Sequence, residues 1–156
     1  MVKKLQAEIQ QRKPFEGREA EVFLNLMRTA EALAQDAERV LKPHGLTGTQ
    51  YNVLRILRGA GPDGLACGEV SGRMVTHDPD ITRLLDRLEA RGLVTRAREK
   101  RDRRVITTRI TRAGLDLLKK LDAPVAAWHR QALGHLGARR LRALVNLLEA
   151  ARETLG

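Results

Sequence analysis

The stretch 76–112 constrains this chain most, because it joins a short amphipathic helix pattern to a hairpin pattern through one glycine. In its first half Ile81, Leu84, Leu85 and Leu88 recur at three- and four-residue spacing and define one buried face. Thr82, Arg83, Asp86 and Arg87 fall outside that face. Asp78 before Pro79 reads as the start signal, since an Asp side chain accepts orphan N–H groups and proline suits a first turn. The helix is therefore expected over about 79–91, and Gly92 suits the left-handed position that ends it. Residues 93–98 and 105–111 then carry β-branched side chains on either side of a charged tip, 99–104, which predicts two short strands in a hairpin.

Charge is concentrated in the same stretch. From 83 to 112 there are eleven Lys/Arg and four Asp/Glu, about +7, while the whole chain carries +10. With so few acids in balance, this favours a polyanion partner, because neutralising phosphates releases counterions and steers association.

The remaining chemistry is mostly excluded. At 156 residues the chain can bury a core as one domain, alone or with an oligomerisation element. Its 42% hydrophobic and 31% charged residues suit a globular protein. No apolar run approaches the roughly 20 residues that span a bilayer, so no membrane partner is expected. The N-terminus continues into polar residues rather than an apolar signal core, which gives a cytoplasmic expectation. Cys67 is the only cysteine and rules out an intrachain disulfide or a multi-cysteine zinc site. It reads as a small, partly buried residue or as a thiol joining two subunits. His44, His129 and His135 lack ligand spacing, so no metal or cofactor is expected. Without a Gly-rich phosphate loop or a nucleophile motif, the chain does not read as an enzyme.

In chain order, Val2, Leu5 and Ile9 suggest a weak amphipathic arm helix over 2–12, interrupted by Pro14 and Gly17. A long helix over about 18–41 carries Phe23, Met27, Ala30, Ala34, Ala37 and Leu41 at alternating steps of four and three, a helix-packing pattern. Pro43 and Gly45 end it. Thr47 with Gln50 three residues on is a capping box for the next helix, with Tyr51, Leu54, Ile56 and Leu57 on its apolar side. A turn-rich break at 59–64 and a short helix over about 67–74 lead into the 76–112 stretch. Beyond it, Leu118, Leu121, Val125, Trp128 and Ala132 form one stripe, and Leu141, Leu144, Val145, Leu148 and Leu155 another. Helix, short helix, turn, helix, hairpin is the order of a winged helix-turn-helix. Such a head does not need the last two helices for its own core, so they are expected, with 18–41, to serve association.

This order resembles the multiple-antibiotic-resistance regulator (MarR) family of bacterial winged-helix repressors. Residues 81–94 are similar to the family's recognition helix and its exit into the wing. Asp102-Arg103-Arg104, with Ile110-Thr111 five residues on, is similar to the family's D-x-R-(five)-L-T wing signature, with Ile replacing Leu. The resemblance covers 18–155 and leaves the first seventeen residues outside. It implies a mainly α (α+β) fold: an arm at 1–17, a dimerisation helix at 18–45, a winged helix-turn-helix at 46–112 and dimerisation helices at 113–156. It also implies a homodimer that places the helix in a major groove of double-stranded DNA and the tip in the neighbouring minor groove.

Within that frame Arg83 suits a bidentate contact to guanine, and Thr82 a base edge or phosphate. Arg87 suits either. Arg96, Arg98 and Lys100 suit backbone phosphates. Asp102 is expected to orient a tip arginine, with Arg104 as its partner, leaving Arg101 or Arg103 to enter the narrow groove. Asp78 and Asp80 either cap the helix or accept from cytosine N4. The resemblance further implies a small aromatic or phenolic effector in a cleft between head and dimer helices, with Phe23, Met27, Tyr51, Leu54, Arg55 and His77 as candidates. The expected function is a sequence-specific transcriptional regulator, a repressor on a pseudo-palindromic operator. The competing class is a non-specific architectural DNA- or RNA-binding protein.

Overall fold

The computed structural model describes residues 4–156, so Val2, the first apolar position of the expected arm helix, lies outside the described residues. The chain divides into two compact units, one ending at Ala37 and the other spanning Glu38–Gly156.

In the first unit the arm contains a single helical turn, α1 (Leu5–Glu8), rather than a helix to residue 12. Gln10 takes a left-handed φ of 54°, which a helix cannot carry. Leu5 is buried. The long helix α2 (Arg18–Leu41) has the expected bounds and continues into the second unit. Glu19 and Glu21 in its first turn suit the positive end of the helix dipole. Its Val22, Phe23 and Met27 are exposed, Phe23 by 61%.

The second unit begins with the end of α2. A 3-10 turn, Lys42–His44, closes on Gly45 at φ 68°. Helix α3 (Gly48–Ala60) starts on the expected capping box: Thr47 accepts from the Gln50 N–H, and the Gln50 side chain accepts from the Thr47 N–H. It runs through Gly59 and Ala60, so the chain break comes two residues later than expected, at a 3-10 turn over Gly61–Asp63. Strand β1 (Leu65–Ala66) and helix α4 (Cys67–Arg73) follow, then α5 (Ile81–Ala90) and the wing strands β2 (Val94–Arg98) and β3 (Ile106–Ile110). Helices α6 (Arg112–Leu133) and α7 (Gly137–Arg152) complete the unit. The sheet is antiparallel with order β1-β3-β2, in which Leu65 faces Thr108 and Arg96 faces Thr108 from the other side. The fold is a mainly α winged helix.

The core shows where the expected division of labour was too simple. Leu54 and Leu57 of α3, Leu85 and Leu88 of α5, and Leu118 and Leu121 of α6 belong to one buried cluster with Leu41, Leu46, Val70, Val94 and Val125. The reading head therefore closes on α6, because α3 would otherwise leave a leucine face open to water. α7 differs. It buries no residue, and Val145 and Leu147 are 51% and 68% exposed.

Arg58 of α3 adds a polar tie to α6, donating to both oxygens of Asp122 at 3.0 and 2.9 Å. That hydrogen bonding holds the Asp122 carboxyl below the usual carboxylate range, with slight burial opposing it. The stabilisation is complete above the unfolded pKa and is lost as pH falls through the lowered folded value. Asp122→Asn should therefore flatten the acid limb of thermal stability below about pH 4, measured by melting across pH.

Candidate nucleic-acid interface

The reading helix starts two residues later than its sequence suggests. Asp78 Oδ1 accepts the Asp80 N–H at 2.8 Å, and this local turn leaves Pro79 outside the helix. Asp80, at φ −128°, is then the cap, and its Oδ1 accepts the Arg83 N–H at 3.1 Å. Its Oδ2 sits 3.7 Å from Arg83 Nε. Of the two expected roles for Asp80, the structure shows the capping one.

Leu84, Leu85 and Leu88 are buried, with Ile81 half-buried, which leaves Thr82, Arg83, Asp86 and Arg87 on the outward face. The Arg83 side chain is 70% exposed. Arg83 and Arg87 help line a concavity of about 270 Å³ with Asp78, Asp80 and Thr47, Thr49 and Gln50 from the start of α3. Sequence reasoning used Thr47 only as a cap and passed over Thr49; only the fold brings their hydroxyls beside α5. At its other end, α5 is tied down by Arg91, which donates to the Gly45 and His44 carbonyls at 2.6 and 3.2 Å.

The wing arginines divide into two groups. Arg96, expected at a phosphate, instead donates its guanidinium to Asp86 and to Glu89, the latter at 3.1 Å. Its backbone N–H donates to the second Glu89 oxygen at 2.9 Å. The Glu89 hydrogen bond foremost raises the guanidinium pKa; burial opposes it, and the Asp86 hydrogen bond adds to the rise. The exposed Arg98 donates to the Arg103 carbonyl at 2.7 Å and so braces the tip. Two adjacent acids claim the first arginine, and a turn carbonyl claims the second.

Lys100, Arg101, Arg103 and Arg104 are exposed around the tip. Asp102 does meet Arg104, but through the backbone: its Oδ1 accepts the Arg104 N–H at 3.0 Å, and its carbonyl accepts the Val105 N–H. It shapes the turn that carries the arginines instead of holding a guanidinium. The base of the wing rests on Arg109, which sequence reasoning missed. Arg109 donates to the Pro62 carbonyl at 3.1 Å and to Glu99 at 3.2 Å. Hydrogen bonds from Thr107 and Arg109 hold the Glu99 carboxyl below its usual range.

The effector candidates are not alike. Leu54 is fully buried in the core and is withdrawn as a lining residue. Tyr51 and Arg55 form a pair one turn apart, with the guanidinium donating to the phenol oxygen at 3.1 Å. His77 is exposed, and so, in the first unit, are Phe23 and Met27. Cys67 is half-buried. Among the described residues no group of His, Cys, Asp and Glu could hold a metal, and no helix is long and apolar enough to cross a membrane.

Comparison with known proteins places this geometry in a family. The MarR family model matches residues 44–105. A MarR transcription factor from Planctomyces limnophilus is 42% identical, with 88% of this chain and 99% of that one covered and a TM-score of 0.68. CouR from Rhodococcus jostii RHA1, in its complex with p-coumaroyl-CoA, is 25% identical over 90% of this chain and 97% of that one, with a TM-score of 0.73. CouR bound to a 23-mer DNA duplex gives 28% identity, coverage of 90% and 99%, and a TM-score of 0.76. The homoprotocatechuate degradative operon repressor of Escherichia coli is 27% identical over 124 residues, 80% of this chain and 82% of that protein. With a winged head, an outward arginine helix and an arginine-loaded tip, this chain belongs to the MarR family of transcriptional regulators.

Proposed function

We propose that this chain is a dimeric, sequence-specific repressor that binds a pseudo-palindromic operator in the cytoplasm and releases it on binding a small aromatic ligand. The observation that carries the DNA part is the exposed guanidinium of Arg83 on α5, on the same winged head as a tip bearing Lys100, Arg101, Arg103 and Arg104. Arg83 and Thr82 read base edges in a major groove, with Arg87 on a base or a phosphate. Lys100 binds backbone phosphate, while Arg101 or Arg103 enters the adjacent minor groove. The hydroxyls of Thr47 and Thr49 face a phosphate across the concavity.

A second copy supplies the cover that α7 and the exposed Phe23 and Met27 of α2 lack, since apolar patches of this kind mark association surfaces. The segments 18–45 and 113–156 act in dimerisation and 46–112 in reading, with the first half of α6 serving the head as well. Two-fold symmetry then sets two half-sites about one helical turn apart. The effector reading draws on CouR with its p-coumaroyl-CoA and on the homoprotocatechuate operon repressor. Tyr51 and Arg55 would meet such a ligand through ring and carboxylate.

The test is selection of bound duplexes from random sequence, followed by competition against random DNA at physiological salt. Arg83→Ala should weaken the selected duplex by about tenfold or more and relax preference at one position. Lys100→Ala should weaken both duplexes alike and lower the salt slope by about one. A specificity ratio near one for the unaltered chain would instead support the architectural class.

A further inference from the structure

Arg96 sits at the junction of the two elements that must meet DNA together. Only residues 91–93 link α5 to β2, and Gly92 among them takes a left-handed φ of 68°. Backbone hydrogen bonds already hold this short junction: the Gly92 and Leu93 N–H groups donate to the Glu89 and Leu88 carbonyls, and Thr111 donates to the Leu93 and Gly92 carbonyls. The side-chain link that ties α5 directly to β2 is Glu89, whose one oxygen accepts the Arg96 backbone N–H at 2.9 Å and whose other accepts its guanidinium at 3.1 Å. Asp86, one turn earlier on the same helix, accepts the guanidinium too. Arg96 is itself held at the middle of β2, an edge strand, opposite Thr108 of β3. Its side chain is 21% exposed, against 70% for Arg83.

We propose that Arg96 is a positioning residue for DNA recognition: clamped by Asp86 and Glu89, it sets the angle at which the wing leaves α5. Arg83 and the tip arginines can then engage one duplex together. The clamp also offsets part of the negative charge of two carboxylates on the proposed reading helix. A planar guanidinium suits this role, since it forks between two acids where an ammonium would satisfy one. The inference rests on α5 being the reading helix, and the experiment separates failure of the two.

Full-length Arg96→Gln, Glu89→Gln and Arg83→Ala variants are compared with the unaltered chain. Affinity for the selected duplex and for random duplex is measured across a salt series, with folding checked by melting. Arg96→Gln should cut the selected-to-random ratio by about tenfold, the size of a lost base contact. Its salt slope should stay unchanged. A slope lower by about 0.9 would mean that Arg96 neutralises a phosphate directly, and would overturn the proposal. Glu89→Gln gives the opposite sign test and covers the case in which Arg96→Gln unfolds. It removes a negative charge and one of the guanidinium's two acid partners, so a phosphate-binding Arg96 would raise affinity for both duplexes and leave the ratio intact. A clamp predicts a lower ratio. If Arg83→Ala lowers the ratio and neither clamp variant does, the clamp is wrong; if Arg83→Ala leaves it unchanged, α5 is not the reader and the proposal falls with it.

Discussion

Leu118→Ala is expected to lower the unfolding free energy by about 2–5 kcal/mol, the range for truncating a leucine in a packed core. Leu118 is fully buried against the cluster that also holds Leu54, Leu85 and Leu88, so the cavity opens inside the reading head. The head and α6 should melt in one transition, seen alike by far-ultraviolet circular dichroism and by fluorescence of Trp128, the only tryptophan, which lies on α6. Urea unfolding at fixed protein concentration gives the number, since a dimer's apparent stability varies with concentration. If α6 served association alone, Leu118→Ala would weaken the dimer and leave the head's stability unchanged. Leu147→Ala on α7, where the side chain is 68% exposed, is the contrasting variant, with its effect expected on association rather than on the core.

Gly64→Ala is expected to cost about 3 kcal/mol or more, combining a backbone conformation open essentially to glycine alone with overpacking. Gly64 has φ 70° and ψ −166° where the chain turns into β1. A methyl group there would run into the Thr108 carbonyl and the Arg109 side chain of the adjacent β3. The collision bears on function because Arg109 carries the base of the wing, through Pro62 and Glu99. Thermal melting should show the loss, and DNA binding should fall even at temperatures where the variant stays folded. Gly68→Ala, inside α4 with open space around it, is the control. It should be neutral or stabilise by about 0.5–1 kcal/mol, because alanine lowers the entropy lost in a helix.

How far the sequence could be read depended on the range of the interaction involved. The bounds of α2, the capping box of α3 and the buried face of α5 follow from periodicity and from hydrogen bonds spanning three or four residues. Strand β1 was not legible: two residues carry no alternation, and they become a strand only by pairing with Thr107 and Thr108. The start of α5 slipped because Asp78 and Asp80 are both capping residues, and the nearer one wins once Asp78 closes its own turn on the Asp80 N–H. The wing arginines were legible as charge but not as roles. Arg96 meets acids on α5 seven and ten residues back, and Arg98 meets a carbonyl five residues ahead across the tip.

The stretch from 76 to 112 by itself determined the kind of molecule: an amphipathic helix, a glycine stop and a basic hairpin are local patterns, and local patterns are set by side-chain spacing. Only the tertiary structure decided which basic residues stay available. A guanidinium reaches whatever carboxylate or carbonyl the folded chain brings near, so Arg83 and the tip remain outward while Arg96 turns in to two acids and the exposed Arg98 ties to a tip carbonyl. The same holds for α6. Its apolar stripe was plain in sequence, but whether it met a second copy or its own head depended on α3 and α5 presenting the leucines it covers.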